Sequence, residues 1–275
     1  MASSDTPITP TATVLASADI ALARAAAGRH GQSMLLMAPE PRDAQAVLDV
    51  LKTMAADQGG LVIALDGKAG EGILAPMADT MARWLNAQPQ SPAITTAQRS
   101  LNGFKRAHNL DKGPPTPLNQ TELGVADSGM ADLDVPEIIT AVAAAAKASQ
   151  KPVLIAINHM DHLPLDTMGT VITALHKASQ QALPVVLFGA GSSALLPMPA
   201  NARSYAERMF TAHHLGPDPA PDPGPDPAVS PTTKPAATTQ ATKPTHDADQ
   251  SPDPRAAGLP VSTPARSARP DQPKP

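Results

Sequence analysis

Four short runs of almost unbroken apolar residues constrain this chain most. They are residues 33–38 (SMLLMA), 61–66 (LVIALD), 153–158 (VLIAIN) and 185–190 (VVLFGA). A strand with no polar alternation must be covered on both faces, the situation of a parallel sheet flanked by helices. The intervening segments carry helical periodicity. Residues 44–57 place Val47, Val50, Leu51 and Met54 on one side, and 70–87 place Ile73, Met77, Met81 and Trp84. A helix over 134–150 is expected to start at Asp134 as N-cap, with Pro136 and Glu137 in its first turn. A helix over 166–181 carries Met168, Val171, Ile172 and Leu175. A helix around Ser204–Arg208 leads into a last short strand at 209–213. Strands alternating with helices define an α/β chain with a mainly parallel, five-stranded sheet. Sequential strands are expected to lie side by side through right-handed crossovers. Residues 89–129, with Pro114, Pro115 and Pro117, read as loops with a short strand or two.

Composition narrows the classes. Half of the 32 prolines lie between Pro217 and Pro275, in a segment without aromatics. Such a stretch buries too little apolar surface to offset its ordering entropy, so 216–275 is expected to be a disordered, Pro-rich tail after a folded domain at 1–215. A net charge of −4 argues against a nucleic-acid binder. The absence of cysteine removes disulfides, thiolate metal sites and thiol nucleophiles. The N-terminus has no signal-peptide pattern, and the most apolar helical run, residues 138–148, is too short to span a bilayer. A soluble, cytoplasmic protein is the expectation.

In a parallel sheet, ligands bind beyond the carboxyl ends of the strands. A phosphate-cradling loop after the first strand needs Gly-x-x-x-x-Gly-Lys-[Ser/Thr]. The eight residues there are Ala38, Pro39, Glu40, Pro41, Arg42, Asp43, Ala44 and Gln45. Both glycines, the lysine and the hydroxyl are missing. Two prolines remove N–H donors, and Glu40 and Asp43 oppose a phosphate. After the third strand, a nucleotide hydrolase needs one carboxylate for the magnesium shell and one to activate water. Asn158 and His159 occupy those places. His159 and His162 bracket Asp161, a spacing open to a transition metal but without a defined third ligand, so no metal is assigned. Arg208, before the last strand, is either an arginine finger acting in trans or a surface residue pairing with Glu207.

These segments resemble, in order, those of AAA-type ATPases of the bacterial and archaeal origin-recognition-like kind. The matching words are Gly31-Gln32-Ser33-Met34-Leu35-Leu36-Met37, Ala126-Asp127-Ser128-Gly129 and residues 153–163. They continue with Ala174-Leu175-His176-Lys177-Ala178-Ser179-Gln180, Leu183-Pro184-Val185-Val186-Leu187-Phe188-Gly189-Ala190-Gly191 and Ser204-Tyr205-Ala206-Glu207-Arg208-Met209-Phe210. The likeness spans roughly residues 12–215. It implies a P-loop-NTPase-like three-layer sandwich. The departures fall on the nucleotide chemistry: Ala44 stands at the phosphate-loop lysine and Gln45 at its hydroxyl, while Asn158 and His159 replace the acidic pair. The family's helical lid and winged-helix DNA reader would begin near Gly216, where the Pro-rich tail stands instead.

The resulting expectation is a catalytically inactive ATPase-like module that works by binding a protein partner, either an active ATPase paralogue or a second copy of itself. No cofactor is expected in that case. The alternative is a genuine but weak ATP-binding ATPase, which would take ATP and Mg2+.

Overall fold

The computed structural model describes residues 10–68, 72–110 and 126–216. The chain divides into two units, 1–223 and 224–275, and every described residue belongs to the first. The tail expected from residue 217 onward, and the prolines at 114, 115 and 117, lie outside the described residues.

The elements run in the order α1 (Pro10–Ala26), β1 (Ser33–Met37), α2 (Pro41–Asp57), β2 (Leu61–Asp66), α3 (Leu74–Ala87), α4 (Pro92–Ala107) and α5 (Ala131–Ala148). They continue through β3 (Val153–Asn158), α6 (Leu165–Gln180), β4 (Val185–Gly191), α7 (Met198–Ala202) and β5 (Phe210–His214). The five strands are all parallel, in the order β2-β3-β4-β1-β5. The expected parallel sheet is present, but sequential adjacency holds only for β2, β3 and β4. β1 instead lies between β4 and β5, with Met34 opposite Phe188 on one side and Thr211 on the other. The burial of the strands explains the order. β1 and β4 are buried throughout and β3 over its first five residues, whereas β2 alternates and β5 is largely exposed, as edge strands are.

Strand alternation divides the apolar side chains between two layers of helix. Met34, Leu36, Leu154, Ala156, Val186 and Phe188 meet α1 and α2 on one face. Leu35, Ile63, Ile155, Ile157 and Leu187 meet α3, α4, α5 and α6 on the other. Each fully buried Leu, Ile, Val, Met or Phe contributes about 1.5–3 kcal/mol, so these two cores hold the sandwich together. At the amino end of β1, the buried Ser33 hydroxyl accepts the Leu187 N–H at 3.0 Å, which ties β1 to β4.

Several elements depart from the expected pattern. Residues 92–107 form a helix rather than strand and loop. Pro92 opens it, and the Ser91 hydroxyl caps it by accepting the Ile94 N–H at 3.3 Å. The alanine-rich segment 10–26 forms α1. In α2 the buried stripe is Ala44, Val47, Leu48, Leu51 and Ala55, while Val50 is 46% exposed. Helix α5 starts at Ala131, so Asp134 lies within it rather than capping it. Around 204–208 the chain makes only a 3-10 turn, Ala206–Met209, after the short α7.

Candidate functional site

β1 runs into α2 on one face of the sheet, while β4 leads to α7, whose Met198 and Ala202 pack on the other. Chain connections therefore diverge between the carboxyl ends of β1 and β4, the switch point at which parallel sheets open a binding crevice. Only Ala38, Pro39 and Glu40 separate β1 from α2. Pro41 is the first helical residue, so Asp43, Ala44 and Gln45 belong to α2 and not to a loop. Ala44 is fully buried in the α1–α2 layer. Pro39 and Pro41 have no N–H. The Ala38 N–H is spent on the Gly191 carbonyl at 3.2 Å and that of Asp43 on the Glu40 carbonyl at 3.0 Å. In this connection and the first turn of α2, the amides of Glu40 and Arg42 remain for an anion. The exposed Arg42 side chain lies 4.0 Å from the Asp43 carboxylate.

At the next strand ends, the register sets Asp66 of β2 opposite Asn158 of β3. The Asp66 carboxylate then meets His159 Nδ1 at 3.0 Å and accepts the Lys68 N–H at 2.9 Å. His159 is held in the left-handed region, at φ 47°, a conformation that marks a constrained position. Its carbonyl leaves no room for a side chain at residue 67, so Gly67 is required there. The Gly67 N–H donates to the Asn158 carbonyl at 2.8 Å. Burial pushes the Asp66 carboxyl up, but hydrogen bonds from Lys68, His159 and Asn158, and the charge of His159, outweigh it and hold the pKa below the ordinary value. An imidazole fixed at Nδ1 by a carboxylate can use Nε2 as a proton acceptor. The spacing of 158–162 does not disclose this pair, because its acid lies 93 residues earlier. The His159 and His162 rings stand edge to face, 6.1 Å apart. Among the described residues, no group of three metal-ligating side chains is placed to hold an ion.

Asp161 reaches the other way. Its carboxylate accepts the Ser192 hydroxyl at 2.6 Å and the Ser192 N–H at 3.1 Å, clasping the ends of β3 and β4. Burial raises its pKa, and the Ser192 bonds, its own N–H and the nearby His162 lower it by more. A side chain at residue 191 would press within 2.7 Å of the Asp161 carboxylate, so Gly191 allows the clasp.

Ser128, His108 and Asp134 bring together the residue types of a nucleophilic triad in a different geometry. The Ser128 hydroxyl (2.8 Å) and His108 Nε2 (2.8 Å) both turn to the Asp134 carboxylate, which also accepts the N–H of Ser128 and of Gly129. The serine is not presented to the imidazole, and the Asp134 and His108 side chains are almost fully buried. This is a knot tying the ends of α4 and α5, with no relay to a substrate. Burial raises the Asp134 pKa and the converging donors lower it to a net depression.

Arg208 stands just before β5, whose first residue pairs with the first residue of β1. It therefore lies at the amino ends of the strands, about 16 Å along the sheet from the β1–α2 connection. It shares a small depression with His30, His176 and Met209. Arg208 is exposed and has no ion-pair partner among the described residues; in particular it does not pair with Glu207.

A cleft also lies at the ends of β2 and β3, away from the switch point. It holds about 670 Å³ and is lined by Asp66, Lys68, Ile73, Val135 and Asp166 among others. Among the described residues no helix is long and apolar enough to cross a membrane. No family model matches the chain, and no curated protein or solved structure matches it either.

Proposed function

We propose that this chain is a catalytically inactive AAA-ATPase-like protein that acts as a regulatory binding module, assembling with an active ATPase paralogue. The observation that carries this reading is the three-residue β1–α2 connection with proline at its second position and at the first residue of the helix. A triphosphate needs a run of convergent backbone N–H groups and a lysine. Here two amides remain, the lysine position is a buried alanine, and Asp43 adds negative charge in the first turn of α2. Arg208, exposed and without an ion-pair partner among the described residues, supports the partner half of the reading. It is too far from its own chain's switch point to act there, and an arginine at that edge is free to reach a neighbour's nucleotide.

The test is calorimetric titration of the full chain with ATP and Mg2+, alongside phosphate release. The expected result is no saturable heat and no turnover above background; micromolar binding with turnover overturns the reading. The partner half is tested on an active AAA ATPase from the same cell. Wild-type protein is expected to raise its turnover at least tenfold, as a supplied arginine finger does by larger factors still, and Arg208→Ala to abolish the rise.

The weak-binding alternative has one feature in its favour, the N-terminus of α2 at the switch point with the Glu40 and Arg42 amides uncommitted. A melting shift that grows with millimolar ATP would support it, since ligand at its Kd stabilises by about 0.4 kcal/mol. No shift removes it.

A further inference from the structure

The cleft at the ends of β2 and β3 belongs to none of the readings above. Its volume, about 670 Å³, falls within the roughly 300–1,000 Å³ typical of small-molecule sites. Its walls are aliphatic: Ile73 and Leu74 from the start of α3, Val135 from α5, and Leu163 before α6. Three carboxylates, Asp66, Asp132 and Asp166, line the same space against one ammonium, Lys68, and one imidazole, His162. Asp66 is engaged by His159 and by the Lys68 N–H. Asp132 and Asp166 differ from it. Each stands in the first turn of its helix, α5 or α6, and among the described residues neither carboxylate has a hydrogen-bond or ion-pair partner.

A single acid in a first turn is accounted for by the helix dipole. The dipole does not require two helices to bring their acids to the wall of one apolar cavity. The cavity thus carries more carboxylates than basic side chains beside its apolar wall. An anion meets like charge there, and a neutral apolar molecule gains nothing from the carboxylates.

We propose that this cleft binds a small amphipathic ammonium compound, its apolar body against Ile73, Leu74, Val135 and Leu163 and its charged nitrogen toward Asp132 and Asp166. The proposal does not rest on the state of the β1–α2 connection, and neither result for ATP bears on it.

Three probes with one aromatic body test it: phenethylamine, 2-phenylethanol and 3-phenylpropanoate, titrated into the full chain at pH 7 and constant ionic strength. Amide NMR shifts at Val135, Thr167 and Thr170 report binding. Phenethylamine is expected to saturate and to bind about tenfold more tightly than the alcohol, the equivalent of about 1.4 kcal/mol, and the carboxylate to give no saturation. The paired variant Asp132→Asn, Asp166→Asn is expected to remove that preference. Both side chains are exposed, and an unchanged melting curve will establish that the variant is folded. Spermidine, charged but without an apolar body, is expected to bind at least tenfold more weakly than phenethylamine. The proposal is overturned by equal binding of amine and alcohol, by saturation with the carboxylate, by spermidine binding as well as phenethylamine, by a preference that survives the paired variant, or by no saturable shift with any probe.

Discussion

At the scale of single residues, buried carboxylates with several donors do most to fix local geometry. Asp134 collects two side-chain and two backbone donors in a nearly dry setting. Removing it strands buried donors, which costs more than the bonds themselves were worth. Asp134→Ala is expected to lower unfolding free energy by about 3 kcal/mol in urea titration. A loss under about 1 kcal/mol would mean that water replaces the carboxylate without penalty. The sequence shows Asp134 as a helix-start residue, and it does sit near the start of α5. What it caps is the preceding turn. That was not legible because His108 lies 26 residues away and joins only when α4 packs on α5. The same limit hid the acid beside His159. A side chain's neighbours in sequence were visible, and its neighbours across the sheet were not.

At the scale of elements, continuous apolar runs were enough to place β1, β3 and β4, because burial on both faces leaves an unmistakable pattern. Helix starts were less legible. The Ser91-Pro92 pair is a cap followed by a first-turn proline, yet the glycine and proline content around it masked the stripe of Ile94, Leu101 and Phe104. Strand order was not legible either, since adjacency of β1 to β4 and β5 depends on crossovers, not on local pattern. The joint between β2 and β3 carries its own prediction. A methyl group at residue 67 would run into the His159 carbonyl, a backbone atom that moves only if the left-handed turn opens. Gly67→Ala is expected to destabilise by about 1–3 kcal/mol and to shift the His159 and Asp66 resonances together. A destabilisation with those resonances unmoved would contradict the coupling described here.

At the scale of the whole molecule, the depressed groups set how the protein meets acid. Asp66, Asp134 and Asp161 have folded pKa values below their ordinary 3.8. Their stabilisation is complete well above that value and is lost as pH falls through the lower folded values. His213 on β5 acts earlier. Burial lowers its pKa from 6.5, and its Nε2 is buried without a partner. Below 6.5 the unfolded chain takes up a proton that the folded chain refuses, so stability falls there too. Urea midpoints are expected to decline in two stages on acidification, the first near neutrality and the second below about pH 4. His213→Gln is expected to flatten the first stage and leave the second. The placement of β1 between β4 and β5 has a further consequence, for biosynthesis. Ser33 must wait for Leu187, 154 residues later. At about 5–20 residues per second, the apolar β1 leaves the ribosome roughly 8–30 s before either strand that will flank it exists. The nascent chain therefore carries β1 with neither strand edge paired through that interval, and holding chaperones have their longest opportunity there.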